Sequence, residues 1–234
     1  MSIADNISRI RERIASAARG AGRDPEQIEL MAVTKTVSAD RIREAYEAAI
    51  RLFGENRVQE LESKAPALES LSGARFHMIG HLQTNKAART AELFASIESV
   101  DSLRLARKLD SAAAQLGKKL PVLIEINIGG EAAKSGVSPD SADLDELFAA
   151  APNLSHLDFC GLMTVPPYDD DPEQSRPYFR RLRELAEKTR SRRLSGIAME
   201  ILSMGMSHDF EIAIQEGATR VRLGTAIFGE RHAA

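Results

Sequence analysis

Residues 29–41 read ELMAVTKTVSADR, a short apolar run followed by the start of a helix. The run from Glu29 to Thr34 has the length and the apolar side chains of a buried strand. Ser38 is a residue type that caps helix N-termini, and a helical pattern begins directly after it. A strand followed by a helix is the repeating unit of parallel α/β proteins, so this stretch predicts that fold class.

The same unit recurs along the chain. The eight strand candidates are residues 29–34, 51–53, 75–79, 96–100, 121–127, 157–164, 199–204 and 219–223. Further helix starts lie at Ser102, at Pro139, and at Ser207 before the run 210–216. Eight strand–helix units in 234 residues favour a closed (β/α)8 barrel of the TIM type. A doubly wound open sheet is the alternative, but its dinucleotide signature, G-x-G-x-x-G after the first strand, is absent.

The N-terminus adds one more element. Ile3, Ile7, Ile10 and Ile14 recur at helical spacing with arginines between them, which predicts an amphipathic surface helix. No low-complexity tract or linker divides the chain. We therefore expect residues 1–234 to form a single α/β barrel domain with an extra N-terminal helix.

Composition excludes several classes of protein. The chain has 31 basic and 34 acidic residues and a net charge of −3, so it has no broad basic surface for nucleic acid. Its most apolar run, residues 120–128, is interrupted by Glu125 and is far shorter than the ~20 residues of a membrane span. The one cysteine, Cys160, cannot form an intrachain disulfide. These features predict a cytoplasmic protein that binds neither nucleic acid nor membrane.

In a barrel of this type, function lies at the carboxyl ends of the strands. Lys35 directly follows the apolar residues 30–34, so its ammonium is expected at the barrel mouth. A partly desolvated lysine there is nucleophilic and suited to a Schiff base with a carbonyl compound. A strand-terminal lysine that reaches into solvent has the same spacing, so Lys35 alone leaves both interpretations open.

Two turns near the end of the chain predict a phosphate site. The segment SMGMS, residues 203–207, lies between the seventh strand and its helix, and Gly224-Thr225 repeats the arrangement one unit later. The loops after strands seven and eight of such barrels often bind phosphate through backbone N–H groups and helix N-termini. Helix capping by Ser207 and Thr225 explains the same residues equally well.

Arg222 is the third candidate and lies near the carboxyl end of the last predicted strand. A buried arginine is costly unless it is paired, so an inward Arg222 needs an acceptor such as an aromatic ring nitrogen or a carboxylate. An amine, a phosphate site and a ring partner together are typical of a pyridoxal phosphate pocket.

The motifs around these residues extend over nearly the whole chain. In order they are AVTKT (32–36), FGENRVQE (53–60), HMIGHLQTNK (77–86), SVDS (99–102), INIGGEAAKSG (126–136), GLMTV (161–165), LSMGMSHD (202–209) and VRLGTAIFG (221–229). In these blocks the sequence resembles the pyridoxal-phosphate homeostasis protein family, small proteins related to the N-terminal barrel domain of alanine racemase.

The resemblance implies a (β/α)8 barrel in which Lys35 carries pyridoxal 5'-phosphate (PLP) as an internal aldimine. It implies that Arg222 faces the pyridine nitrogen. The residues that it implies around the phosphate are Ser203, Ser207, Gly224 and Thr225. Asn56 and His81 match family positions near the cofactor. His77 and His81 have no acidic or cysteine partner close in sequence, so no metal site is predicted.

An arginine opposite the pyridine nitrogen limits the reactions that the cofactor can support. A guanidinium does not readily donate the full proton that makes the pyridinium an electron sink. The related racemase also uses a tyrosine supplied from an additional C-terminal domain and a partner subunit, whereas this sequence ends nine residues after Thr225. We therefore expect a PLP-binding protein of intracellular PLP homeostasis, which buffers or delivers the cofactor without a dedicated catalytic activity.

Two other functions stay open from the sequence. One is a compact PLP-dependent amino-acid racemase with Lys35 as one base and a residue such as His81 as the other. The other is a cofactor-independent, aldolase-type Schiff-base enzyme, for which the chain shows no matching acid–base pair. PLP-requiring apoenzymes are candidate partners of a carrier. Because no sustained heptad or long apolar patch is present, we expect a monomer or a weak dimer.

Overall fold

The computed structural model describes residues 2–131 and 134–229, which contain a closed barrel of eight parallel strands in sequence order. The strands are β1 (Glu29–Val33), β2 (Leu52–Glu55), β3 (Arg75–Met78), β4 (Ser96–Val100), β5 (Leu120–Glu125), β6 (Leu157–Met163), β7 (Ile197–Ser203) and β8 (Arg220–Leu223). Pairing of β8 with β1, in register from Glu29 opposite Arg220, closes the barrel. The predicted closed barrel is therefore confirmed, and the open-sheet alternative is wrong.

An α-helix follows every strand, and one further helix precedes β1. The helices are α1 (Ile3–Gly20), α2 (Ala39–Glu47), α3 (Val58–Leu68), α4 (Ala87–Leu93), α5 (Leu103–Gln115), α6 (Ala142–Ala150), α7 (Arg176–Ser191), α8 (Phe210–Gln215) and α9 (Thr225–Phe228). Short 3₁₀ helices lie at Pro25–Gln27, Thr84–Lys86, Ala151–Asn153 and Pro172–Ser175.

The N-terminal helix α1 forms where the isoleucine spacing predicts it. The Ser2 hydroxyl accepts the amide hydrogen of Asp5, and the Asp5 carboxylate accepts that of Ser2, each at 3.1 Å, a reciprocal cap. The residues that α1 buries are Ile3, Ile7, Ile10, Ile14 and Ala18. With this apolar face, α1 packs against α8 and α9, the helices that flank the last strand.

One predicted helix start and one predicted helix cap are wrong. The helix after β5 begins at Ala142 and not at Pro139, because the Ser141 hydroxyl accepts the amide hydrogen of Leu144 and caps the helix there. Helix α8 begins at Phe210, and the Ser207 side chain does not cap it. Ser207 is consequently available for contacts with another turn.

The barrel interior contains charge as well as apolar side chains. Among its fully or nearly fully buried residues are Glu98, Arg220, Arg222 and His77. Burial of a charge is costly unless it is paired, so their contacts determine what the barrel can do. Among the helices described, none is both long enough and apolar enough to cross a lipid bilayer.

Candidate cofactor site

Lys35 lies just beyond the end of β1, and hydrogen bonds hold the backbone on both of its sides. Nζ of Lys64 donates to the carbonyl of Thr34 at 2.9 Å, and a carboxylate oxygen of Glu60 accepts the amide hydrogen of Thr36 at 2.8 Å. Thr36 has a φ of 60°, a left-handed conformation that is uncommon outside glycine. These contacts fix the turn that presents Lys35 at the barrel mouth.

Glu55, at the end of β2, anchors Lys64 in turn. Its Oε1 accepts from Nζ of Lys64 and from the hydroxyl of Thr34, both at 2.8 Å. Burial raises the pKa of Glu55, although Lys64 and Thr34 act in the opposite direction. The FGENRVQE block thus supplies two carboxylates, at positions 55 and 60, that organise the backbone around Lys35.

The turns after β7 and β8 lie against each other. The Oγ of Ser207 accepts a hydrogen bond of 3.2 Å from the amide of Ala226, in the first turn of α9. Gly205 has a φ of 91°, and a Cβ there would lie 2.6 Å from a side-chain carbon of α8, so this turn requires glycine. Gly224 is the N-cap of α9 and Thr225 is its first residue. The structure therefore brings Ser207, Gly224 and Thr225 together.

The opposite end of α9 is held by side chains from two other helices. Nδ2 of Asn6, in α1, donates to the carbonyl of Ile227 at 2.9 Å. The guanidinium of Arg41, in α2, donates to the carbonyl of Phe228. The extra N-terminal helix consequently takes part in positioning the turn after β8.

Arg222 is only 4% exposed and lies across the ends of β6 and β7. Its Nη1 donates to the carbonyl of Ser203 at 2.6 Å and to the hydroxyl oxygen of Ser203 at 2.9 Å, and its Nη2 donates to the carbonyl of Thr164 at 2.7 Å. Burial lowers the pKa of Arg222, and the carboxyl groups of Glu98 and Glu125 oppose this effect. The three bonds use three of the five guanidinium hydrogens, which leaves two for a further acceptor.

Glu98, in the middle of β4, lies beneath Arg222 and is completely buried. Its Oε1 accepts from Nδ1 of His77 at 2.8 Å and from Nη1 of Arg220 at 2.7 Å, and its Oε2 accepts from the hydroxyl of Ser203 at 2.5 Å. Burial alone would raise the pKa of Glu98, but the hydrogen bonds and the charge of Arg220 outweigh it and lower the pKa to about 2. Glu98 is therefore ionised at neutral pH.

The network continues to the amino end of the barrel. Nε of Arg220, the first residue of β8, donates to Glu29, the first residue of β1, at 3.0 Å. Arg75, the first residue of β3, lies 3.2 Å from the same carboxylate. A chain of ion pairs and hydrogen bonds thus crosses the interior from Glu29 at one end to Arg222 at the other.

Glu125, the last residue of β5, contrasts with Glu98. Its Oε2 is buried and has no hydrogen-bond partner among the described residues. Burial, together with the charge of Asp101, raises the pKa of Glu125 to about 7, although Arg222 acts in the opposite direction. This carboxyl group therefore keeps its proton to a higher pH than an exposed glutamate does, and in the protonated form it can donate as well as accept a hydrogen bond.

Asn56 and His81 follow β2 and β3, at the same end of the barrel as Lys35. Nδ1 of His81 lies 3.1 Å from a carboxylate oxygen of Asp101, and the His81 side chain is 56% exposed. The backbone of Asn56 lies directly against Gly80, where a Cβ would collide with the Asn56 carbonyl. The structure places both residues at the rim of the mouth, with Asn56 half-buried.

Several polar residues of this region were not predicted from the sequence. They are Glu55, Lys64, His77, Glu98, Glu125 and Arg220. The available signal was a charge inside an apolar strand, which both Glu98 and Glu125 show. The residues that the structure describes contain no group of three or more histidine, cysteine, aspartate or glutamate side chains able to hold a metal ion.

Comparison with known proteins gives the class of this barrel. Residues 3–232 match the family described as alanine racemase, N-terminal domain. The chain is 45% identical to the pyridoxal phosphate homeostasis protein of Aquifex aeolicus strain VF5, with 99% of each chain covered. It is 42% identical to the protein of that name from Escherichia coli K12, covering 98% of this chain and 97% of the other.

A solved structure agrees with these sequence relatives. PipY of Synechococcus elongatus PCC7942, determined with PLP bound, superposes with a TM-score of 0.85 at 34% identity, over 97% of this chain and 100% of PipY. The chain belongs to the pyridoxal phosphate homeostasis protein family, which confirms the resemblance in the sequence motifs.

Proposed function

We propose that this chain binds pyridoxal 5'-phosphate on Lys35 and buffers or delivers it in intracellular PLP homeostasis, without a dedicated catalytic activity. The observation that carries this proposal is one barrel end that combines an amine, a buried guanidinium and two apposed turns. Relatives at 42–45% identity bear the corresponding name. Residues 1–234 act in this proposal as one binding domain.

The residues at the mouth fit this cofactor. Bound PLP supplies an aldehyde that condenses reversibly with a primary amine and releases water. Lys35 provides the amine, and the turns at Ser207 and Gly224 suit a phosphate because the Ser207 hydroxyl lies against the N-terminus of α9. Arg222 has two hydrogens left for an acceptor at the ring nitrogen. Glu125 has a buried oxygen that requires a partner, which a ligand at the mouth would provide.

Arg222 favours binding without catalysis. Its guanidinium is bonded to Ser203 and Thr164 and stays protonated, so it donates hydrogen bonds but transfers no proton to a ring nitrogen. Without ring protonation, electron withdrawal from a bound amine is weak. The mouth is then suited to reversible exchange of the cofactor between Lys35 and an incoming amine. In this proposal the protein acts in the cytoplasm, as a monomer or weak dimer, and PLP-requiring apoenzymes are its recipients.

The test is spectroscopic and covalent. We expect the purified protein with PLP to show the visible absorption band of a Schiff base. Borohydride should then fix the cofactor mass on the peptide that contains Lys35. Lys35→Ala should abolish this mass. Lys119→Ala is the matched control, since Lys119 pairs with Asp158 at 3.2 Å on the protein surface at the other end of the barrel. A protein that stays colourless with excess PLP would refute the proposal.

A compact amino-acid racemase is the second candidate. It is favoured by the match to the racemase domain family and by the 3.1 Å pairing of His81 with Asp101, which offers a second base at the mouth. Chiral analysis of several amino acids distinguishes the two functions. We expect no racemisation above that of free PLP, in either the wild-type protein or the His81→Ala variant. Turnover that is lost in His81→Ala would establish the racemase instead.

A further inference from the structure

Glu98, at the centre of the interior network, makes none of the proposed contacts with the cofactor. Glu98 is ionised, so it can only accept hydrogen bonds. Nδ1 of His77 must therefore carry a hydrogen, and the hydroxyl hydrogen of Ser203 must point at Oε2 of Glu98, 2.5 Å away. The orientation of the Ser203 hydroxyl is consequently set by the charge of Glu98.

This orientation decides what Ser203 offers to Arg222. A hydroxyl has one hydrogen and two lone pairs, and the hydrogen is already used. The oxygen therefore faces Arg222 as an acceptor, and Nη1 donates to it at 2.9 Å. Nη1 also donates to the carbonyl of Ser203 and Nη2 to that of Thr164. Three bonds of defined direction fix the plane of the guanidinium, and with it the direction of its two remaining hydrogens.

Glu98 is itself held from below. Arg220 donates to it at 2.7 Å and is tied to Glu29 at the amino end of the barrel. Glu98 cannot turn away from Ser203 without breaking a buried ion pair. The direction of the Arg222 hydrogens at the mouth is thus determined by groups that lie deep in the barrel.

We propose that Glu98 and Ser203 are positioning residues for Arg222: they aim its guanidinium at the ring nitrogen of the bound cofactor, and Ser203 does not bind the phosphate. The inference rests on the proposed function and differs from the sequence expectation, in which Ser203 and Ser207 both surround the phosphate. Ser207 contacts the amide of Ala226 in α9, whereas Ser203 contacts Glu98 and Arg222. The two serines therefore have separable roles.

Two probes separate these roles. One is PLP, and the other is its carbocyclic analogue with carbon in place of the ring nitrogen. Ser203→Ala should weaken PLP binding about tenfold, the effect of losing one hydrogen bond to a charged group, and leave binding of the analogue unchanged. Ser207→Ala should weaken binding of both probes equally, because both carry the phosphate.

Glu98→Gln is a second variant, and it should also weaken the binding of PLP and leave the binding of the analogue unchanged. The glutamine keeps the shape of the side chain and removes the charge that orients the Ser203 hydroxyl. Equal weakening of both probes by Ser203→Ala would assign Ser203 to the phosphate and overturn the inference, and so would an unchanged affinity for PLP. If the wild-type protein binds neither probe, the proposed function itself fails. Selective loss of PLP in both variants supports the inference.

Discussion

Glu98 in β4 and Glu125 in β5 are acidic side chains on neighbouring strands of one barrel, and they experience opposite electrostatic environments. Burial by itself would raise the pKa of both groups. Around Glu98, hydrogen bonds from His77 and Ser203 and the charge of Arg220 reverse this effect and lower the pKa to about 2. Around Glu125, one oxygen lacks a partner among the described residues and the pKa rises to about 7. Partners, not burial, decide the charge of a group in this interior.

The comparison separates two parts of the molecule. The interior network around Glu98 is complete within the protein. The mouth around Glu125 is incomplete and has a polar atom that can bind a ligand.

Removal of the Glu98 carboxylate should have the largest effect. Glu98→Ala leaves the buried charge of Arg220 without its inner partner, and breaking a buried pair in this way costs about 3–5 kcal/mol. Urea denaturation of the cofactor-free protein measures the free energy of unfolding. Glu98→Gln should lose less, because it retains a hydrogen-bonding side chain of the same shape. A loss below about 1 kcal/mol in the alanine variant would show that the network is not essential to the interior.

Addition of PLP should stabilise the protein through the mouth. At 100 times its dissociation constant, a ligand that binds only the folded state raises the free energy of unfolding by about 2.7 kcal/mol. Urea denaturation with and without PLP measures this increment, and removal of the cofactor by dialysis should reverse it. Lys119→Ala should retain the full increment. An increment that persists undiminished in a Lys35→Ala and Arg222→Ala double variant would place the binding site elsewhere.

The pH dependence of stability should have opposite signs for the two carboxyl groups. The pKa of Glu125 is raised from 4.5 to about 7, so its contribution to stability is present below pH 4.5 and is lost as the pH rises to 7. Glu125→Gln should therefore be more stable than wild type at pH 8, by on the order of 1 kcal/mol, and equal to it near pH 4. Glu98 behaves in reverse, because its contribution is present above pH 4.5 and is lost as the pH falls towards 2.

Unfolding measured between pH 2 and pH 8 tests this difference, because this range includes the titration of both carboxyl groups. If Glu125→Gln has the same pH profile as wild type, the carboxyl group has a partner that keeps its pKa near the ordinary value. The contrast with Glu98 would then disappear.

An exposed ion pair should have the smallest effect and serves as a reference for the buried pairs. Arg13 in α1 makes two hydrogen bonds to Glu211 in α8, at 3.0 and 2.7 Å, and the two side chains are 49% and 40% exposed. Solvent screens such a pair, so Arg13→Ala should cost less than about 1 kcal/mol, and less still in 1 M salt. A loss comparable to that of Glu98→Ala would mean that α1 is a main source of stability.

The fold was predictable because its signals are local. The isoleucine spacing of α1 and the strand–helix alternation from Glu29 onward depend on periodicity within a few residues, and the structure confirms both. Element boundaries were less accurate. β7 begins at Ile197, two residues before its predicted start, and α6 begins at Ala142, since cap hydrogen bonds and strand register are decided by neighbours.

The candidate site was predictable in part. Lys35, Ser207, Gly224 and Thr225 follow strands, and the barrel brings the carboxyl ends of all strands to one side. The partners of Ser203 were not predictable, because Glu98 is 105 residues away in the chain. That contact exists only when β4 and β7 face each other across a closed barrel.

The barrel, its extra helix, the lysine at the mouth and the family follow from the amino-acid sequence, because periodicity, turn residues and motifs are properties of neighbouring positions. The folded barrel, in contrast, sets which charges meet. It paired Arg220 with Glu98 across 122 residues and left an oxygen of Glu125 without a partner among the described residues. The reason is physical: the free energy of a buried charge depends on the distance and direction of its partners in space, and these are set when β8 closes on β1.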